Sequence, residues 1–371
     1  MVARVSLFAP NSTVVVKIGS AILVEGGRLR QAWLDRLCAD VAALREGGTR
    51  VVLVSSGAIA LGCQVLGLER RALTLPQKQA CAATGQSLLT RGYDDALQRY
   101  GLRAAQALLT LGDTEDRRRY LNARATLQTL LTLGVVPVVN ENDTVATAEI
   151  RYGDNDRLAA RTAQMVGADA LVLLSDINGL YTADPRTDDT AEHIAEVEAL
   201  TDEHLAMAGD ANAQAGVGSG GMATKLAAAR IATQAGADMY ILDGRAPGAL
   251  AALVDGTAQH TRFRAQANPK AARAQWIAGS LAPNGALHLD AGAVKALASG
   301  RSLLAAGVKA VDGAFGKGDA VRLLDGDGKT LAIGLSSHDA SDLDAIKGLR
   351  SEQIEHPNGA VVVHRDNLVM R

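Results

Sequence analysis

Short runs of β-branched and aliphatic residues recur along the chain, each bounded by glycine or polar residues. They are TVVVKIG at 13–19, RVVLVSSG at 50–57, GVVPVVNEND at 134–143, ALVLLSDING at 170–179 and ADMYILDG at 237–244. Their apolar positions are continuous rather than alternating, the pattern of strands buried on both faces. Between them lie the longer segments 29–48, 75–101 and 114–134, which are rich in helix formers and end near glycine, as helices do. Strands alternating with helices predict an α/β fold: an open, mostly parallel sheet sandwiched by helices.

From about residue 260 the texture changes. TRFRAQANPKAARAQ (261–275) reads as a polar connector, and short apolar segments broken by Gly and Asp turns follow it. That pattern predicts a small, mainly β domain with one or two helices. The division expected is a first domain over 1–262, a linker over 263–274 and a second domain over 275–371. At 371 residues and 48 % hydrophobic content the chain has material for two cores.

Charge and cysteine usage remove several classes. A formal charge of -2 offers no general attraction to nucleic acid or anionic membranes, so any anion site must come from local placement. Cys38, Cys63 and Cys81 form no CxxC pair and sit in alanine-rich apolar context, which predicts buried thiols in a reducing compartment. The N-terminal stretch lacks a signal-peptide pattern, and no apolar run approaches the roughly eighteen residues needed to cross a bilayer. The expectation is a cytoplasmic protein with no membrane partner.

Polar residues cluster where the buried strands end. Lys17-Ile18-Gly19-Ser20, Ser55-Ser56-Gly57, Asn140-Glu141-Asn142-Asp143 and Ser175-Asp176 each follow an apolar run. In open α/β sheets ligands bind beyond the carboxyl ends of the strands, so these four ends predict one shared site. GVGSGGMATK (216–225) packs four glycines before a segment in which Leu226, Ala229, Arg230 and Thr233 fall at helical spacing. This loop opens a helix but departs from the P-loop order, because Met222, Ala223 and Thr224 separate Gly221 from Lys225.

Glycine lets backbone N–H groups approach oxygen closely, and Lys17 and Lys225 add full charges at the edges of such a site. At an effective dielectric of about 20, an ammonium attracts an oxyanion about 4 Å away by roughly 4 kcal/mol. The alternative for Lys17 is an edge-strand lysine that discourages aggregation. The segment 140–156 gathers Asn140, Glu141, Asn142, Asp143, Glu149, Asp154, Asn155 and Asp156, a group suited to an ammonium, a divalent metal through water, or a lysine. Its spacing is not that of an EF-hand, and a solvated acidic loop is the competing reading. No hydrolase triad stands out: the seven histidines lie outside the strand ends, most of them expected at the surface, and SSGAIA lacks a nucleophile elbow. An acceptor that is itself a carboxylate is ionised at neutral pH and needs no general base. Catalysis then consists of bringing two anions together and neutralising charge.

The motifs VVVKIGS, VVLVSSGAIALG, VVPVVNENDTVAT, YGDND, LLSDINGLYTADPR and GSGGMATK, in this order, resemble the amino acid kinase family over nearly the whole chain. The segment after residue 275 resembles a PUA domain. Within the family the pair NENDTVAT and GDND is the discriminating feature, and the members that share it phosphorylate the γ-carboxylate of L-glutamate with ATP and Mg²⁺ at the first step of proline synthesis. The resemblance implies that Lys17 and Lys225 neutralise the transferring phosphoryl group while Asp156 holds them. It implies that Ser56, Asp143 and Asn155 bind glutamate with Asn140 assisting. It assigns Ser175, Asp176 and the segment Ser219, Gly220, Gly221, Met222, Ala223, Thr224 and Lys225 to the nucleotide, with Gly19 and Gly57 giving backbone contacts to phosphate. No protein residue is assigned as a metal ligand. Ser55 and Thr84 depart from the usual TSG and AAVGQ forms but leave Ser56, Gly57 and Gln86 in place. Segment 58–80 resembles the region where proline acts as an inhibitor, and the family suggests a homodimer or homotetramer.

Competing readings are another amino acid kinase, an RNA-binding PUA protein, and a non-catalytic amino acid sensor. An aspartokinase is expected to carry ACT domains, and an acetylglutamate or uridylate kinase to end near residue 260. From 271 to 371 the chain has eleven basic and eleven acidic residues, with Trp276 and Phe315 as its only aromatics. That is a poor electrostatic and stacking basis for RNA. A sensor has no need of Lys17, Lys225 and Asp156 together.

Overall fold

The computed structural model describes residues 8–145, 155–207, 221–266 and 283–370. Contacts divide the chain into two compact units, 1–115 with 123–269, and 116–122 with 270–371. The first unit is built on an eight-stranded sheet. Its strands are β1 (Thr13–Ile18), β2 (Arg50–Ser55), β3 (Ala104–Leu109), β4 (Val136–Glu141), β5 (Ala170–Ser175), β6 (Glu196–Val197), β7 (Asp238–Asp243) and β8 (His260–Phe263). The spatial order is β6-β8-β7-β5-β1-β2-β4-β3, and neighbours pair in parallel except β7 with β8.

The helices are α1 (Gln31–Glu46), α2 (Ala58–Leu66), α3 (Leu75–Gln98), α4 (Arg117–Thr132), α5 (Asn155–Val166) and α6 (Met222–Gln234). Continuous apolar runs form strands here because helices cover both faces of the sheet. Val14, Val15, Val16 and Ile18 of β1 are all fully buried. One core joins Val14, Val16 and Ile18 to Trp33, Leu34 and Leu37 of α1 and to Leu89, Tyr93 and Leu97 of α3.

β1 lies between β5 and β2, so Lys17 is on an interior strand, and the edge-strand alternative fails on this topology. The edge strand β3 carries the sequence AAQALL, with low intrinsic strand preference; pairing with β4 forms it.

Helices α2 and α3 cross with their backbones nearly touching. A Cβ on Gly62 would stand 1.8 Å from the Cys81 carbonyl oxygen, and one on Gly85 would stand 1.8 Å from the Ala58 carbonyl oxygen. These two glycines set how closely α3 approaches the start of α2, directly after β2. All three cysteines are buried free thiols; burial, reinforced by Asp35, pushes Cys38 up to about 12.

The second unit has a five-stranded sheet of β9 (Gly285–Leu289), β10 (Val308–Gly313), β11 (Ala320–Leu324), β12 (Thr330–Leu335) and β13 (Leu368–Met370), in the order β10-β9-β11-β12-β13. β9 pairs in parallel with β11; the other pairs are antiparallel. Helices α7 (Ala291–Ala298) and α8 (Ala340–Ile346) pack on a core that includes Leu287, Leu297, Val321, Leu323 and Leu343. His338 in this unit is fully buried, unlike the surface position expected of most of the histidines.

Candidate active site

The parallel strands β1, β2, β4 and β5 all end on one side of the sheet, and their ends line a cleft of about 330 Å³. Lys17 and Gly19 enter from β1, Ser56 and Gly57 from β2, Asn140 and Asp143 from β4, and Ser175 and Asp176 from β5. Asn155 and Asp156 from α5 and Lys225 from α6 complete the wall.

At the centre one carboxylate holds two ammonium groups. Asp156 Oδ1 lies 2.5 Å from Lys17 Nζ, and Oδ2 lies 3.3 Å from Lys225 Nζ. Asp156 is 1 % exposed, and Lys225 is also buried. Burial alone would raise the Asp156 carboxyl, but the charges and hydrogen bonds of the two lysines overcome this and hold it at about 2. Its place in the first turn of α5 adds the favourable end of the helix dipole. Lys225 sits in the first turn of α6, where the same dipole opposes a cation, so Asp156 is what makes its burial tolerable. One negative and two positive charges leave the group net positive, suited to an incoming anion. Thr224 Oγ1 also donates to Asp156 Oδ2 at 3.3 Å.

A second cluster lies towards β4. Asn155 Nδ2 donates to Ser56 Oγ at 2.7 Å, to Asn140 Oδ1 at 3.0 Å and to the Ser55 carbonyl at 3.1 Å. Asn140 in turn donates to Gln86 Oε1 of α3 at 2.7 Å. Asp143 borders this network, and burial raises its carboxyl to about 6. Among the described residues nothing is hydrogen-bonded or ion-paired to that carboxylate. A half-buried carboxylate without a described partner is costly, and a ligand cation would relieve the cost.

Gly57 has φ 117°, a left-handed conformation, and a Cβ there would stand 2.9 Å from Val24 Cγ2, so the chain can turn from β2 into α2 only with glycine. Gly19 differs. Its φ of -72° suits any residue, and a Cβ there would meet only ordinary contacts at 3.7 Å and beyond.

The segment leading into α6 is divided. Ser219 and Gly220 lie outside the described residues, as do Glu149 and Asp154. Gly221 caps α6 in an extended conformation; Met222 and Ala223 form its first turn but do not line the cleft, whereas Lys225 does. Ser55 points away from the cleft, hydrogen-bonded to Tyr93 Oη at 3.0 Å. Arg70 and Lys78 line the cleft without having been singled out in the sequence, and Gln86 reaches it through Asn140. The only signal for the two cations was their place in segment 58–80, where nothing in the pattern marks which side chains turn inwards.

Among the described residues no group of three or more His, Cys, Asp or Glu side chains is placed to hold a metal ion. Both Asp156 oxygens are engaged by lysines. No described helix is long and apolar enough to cross a membrane.

A mostly parallel sheet whose strand ends line a cleft with two lysines held on one carboxylate is the frame of a phosphotransferase, and the chain belongs to the amino acid kinase family, which it matches over residues 12–243. Residues 285–357 match the PUA domain. The chain is 57 % identical to glutamate 5-kinase of Caulobacter vibrioides over 98 % of its own length and 97 % of that protein. It is 55 % identical to glutamate 5-kinase of Paracoccus denitrificans over 96 % of each chain. To glutamate 5-kinase of Agrobacterium fabrum it is 51 % identical, over 98 % of this chain and 94 % of that one.

Proposed function

We propose that this chain transfers the γ-phosphoryl group of ATP to the γ-carboxylate of L-glutamate, giving L-glutamyl 5-phosphate and ADP. The observation that carries the reading is Asp156 holding Lys17 and Lys225 together in a cleft that also contains Asp143, whose carboxylate has no partner among the described residues. The relatives named glutamate 5-kinase support the choice of acceptor.

In this reading a γ-carboxylate oxygen forms a bond to the γ-phosphorus as the bond to the β,γ-bridging oxygen breaks, and ADP carries the electron pair away. The acceptor is already ionised, so no side chain has to remove a proton. Lys17 and Lys225 neutralise the equatorial oxygens as charge spreads over them. Asp156 fixes both ammonium groups. Asp143 takes the substrate ammonium, while Ser56, Asn155 and Asn140 orient the amino acid. Ser175, Asp176 and the segment 219–225 hold the nucleotide, with Gly19 and Gly57 presenting backbone to phosphate. Mg²⁺ enters with ATP, on its phosphates, as part of the substrate.

The same reading gives residues 1–262 as the catalytic domain, 263–274 as a linker and 275–371 as a PUA-like domain. It places the reaction at the start of proline synthesis in the cytoplasm, with proline as an inhibitor and a homodimer or homotetramer as the working form. The test is ATP consumption with Mg²⁺ on L-glutamate, L-aspartate, N-acetyl-L-glutamate and UMP, trapping acyl phosphate with hydroxylamine. Hydroxamate formed from L-glutamate alone is the expected result; product from another acceptor instead overturns the substrate assignment.

A further inference from the structure

The cleft contains two cations that the chemistry above leaves unused, Arg70 and Lys78. Lys17 and Lys225 are committed to Asp156, whereas neither Arg70 nor Lys78 forms a hydrogen bond or ion pair with its side chain among the described residues. Lys78 is half-buried and Arg70 lies at the exposed rim.

Helix α3 determines where Lys78 stands. Ala82, Gly85, Gln86 and Leu89 follow it at 4, 7, 8 and 11 residues, and all are buried, so they form one stripe of the helix. Gln86 on that stripe accepts from Asn140 Nδ2, tying this face of α3 to the Asn140–Asn155–Ser56 network. Lys78 therefore enters the cleft from the side of β2 and β4. The residues proposed for the nucleotide come from the other side of β1, at the end of β5 and the start of α6.

An amino acid whose reacting carboxylate meets Lys17 and Lys225 must direct its opposite end away from β5, towards β4. That end carries an ammonium and a second carboxylate. Asp143 suits the ammonium, and the second carboxylate requires a cation on the same side. We propose that Lys78 binds the α-carboxylate of the acceptor and so selects acceptors that possess one, with Arg70 adding positive charge at the rim. This inference rests on the glutamate reading and names a residue of its specificity.

The experiment compares wild type with Lys78→Met, which keeps an apolar stem, and Lys78→Arg, which restores charge. Two ligands are used: L-glutamate as substrate, and 4-aminobutyrate, which keeps the ammonium and reacting carboxylate but lacks the α-carboxylate, as a competitive inhibitor. Expected for Lys78→Met is a KM for L-glutamate raised roughly 10- to 100-fold, as for loss of a charge-assisted hydrogen bond. Its kcat, its KM for ATP and its Ki for 4-aminobutyrate should stay close to wild type, and Lys78→Arg should recover part of the loss. An unchanged KM for L-glutamate overturns the proposal, as does an equal weakening of both ligands. If wild type forms no hydroxamate from L-glutamate, the glutamate reading itself falls and this inference with it.

Discussion

Asn155 Nδ2 donates to Ser56 Oγ at 2.7 Å, joining the first turn of α5 to the residue just after β2 across 99 positions of sequence. The same amide group reaches Asn140 at the end of β4, so one side chain holds three elements in register around the cleft. Asn155→Ala should therefore raise KM for L-glutamate by about tenfold or more and lower stability by roughly 1–3 kcal/mol, since Asn140 loses a buried partner. Steady-state kinetics and urea unfolding measure the two effects, and a variant with wild-type KM would remove Asn155 from substrate positioning.

Asp156→Asn leaves two ammonium groups in the cleft without their counter-charge. Loss of one partner from a buried ion pair costs about 3–5 kcal/mol, and turnover should fall by orders of magnitude as the lysines separate. Because the folded carboxyl is held at about 2, below its ordinary value of 3.8, its contribution to stability is present above about pH 4 and is lost as pH falls towards 2. The wild-type stability advantage over Asp156→Asn, followed by denaturant titration, should shrink across that window.

Lys225→Ala separates catalysis from folding. Lys17 still pairs with Asp156 at 2.5 Å, so the buried carboxylate keeps one counter-charge and the fold should survive. Removing one group that stabilises transition-state charge should lower kcat by roughly 10²–10³-fold. Circular dichroism with wild-type kinetics would show instead that Lys225 takes no part in the chemistry.

Asp143 makes a pH prediction of opposite sign. Burial raises its carboxyl to about 6, so the unliganded protein gains stability from this group as pH falls through 6 towards the ordinary value. Protonation also removes the charge that would attract an ammonium. KM for L-glutamate should rise as pH is lowered through about 6, and Asp143→Asn should show a high, pH-independent KM together with an apo protein no less stable than wild type at neutral pH. A flat wild-type profile would separate Asp143 from ammonium recognition.

Gly85→Ala tests the crossing of α2 and α3. A methyl group 1.8 Å from the Ala58 carbonyl oxygen forces the helices apart, at a cost of about 1–3 kcal/mol for overpacking. Since Ala58 follows Ser56 and Gly57 directly, KM for L-glutamate should rise as well, although residue 85 does not line the cleft. Thermal unfolding and kinetics on the same preparation would expose a decoupling of the two.

Much of this arrangement was readable in the chain. Continuous apolar runs identified five strands of the first sheet, because strands covered on both faces have no polar side to interrupt the pattern. Lys17, Ser56, Asn140, Asp143, Asp176 and their neighbours were legible as candidates because polarity begins abruptly where those strands end. The glycine loop before Met222 marked a helix start, and α6 begins there. Strand β3 was not legible: AAQALL has the composition of a helix, and only the open edge of β4 makes it extended.

Sequence by itself determined five buried strands of the first sheet, where each of them ends, and which charged groups stand at those ends, since these follow from local polarity and spacing. Tertiary structure alone decided that one Asp156 carboxylate lies between two lysines 208 positions apart, that Gln86 meets Asn140, and that Lys78 rather than a neighbouring polar residue of α3 turns into the cleft. Such pairings depend on strand order and on how closely two helices can cross, and both are set by the packing of the whole unit rather than by any segment of it.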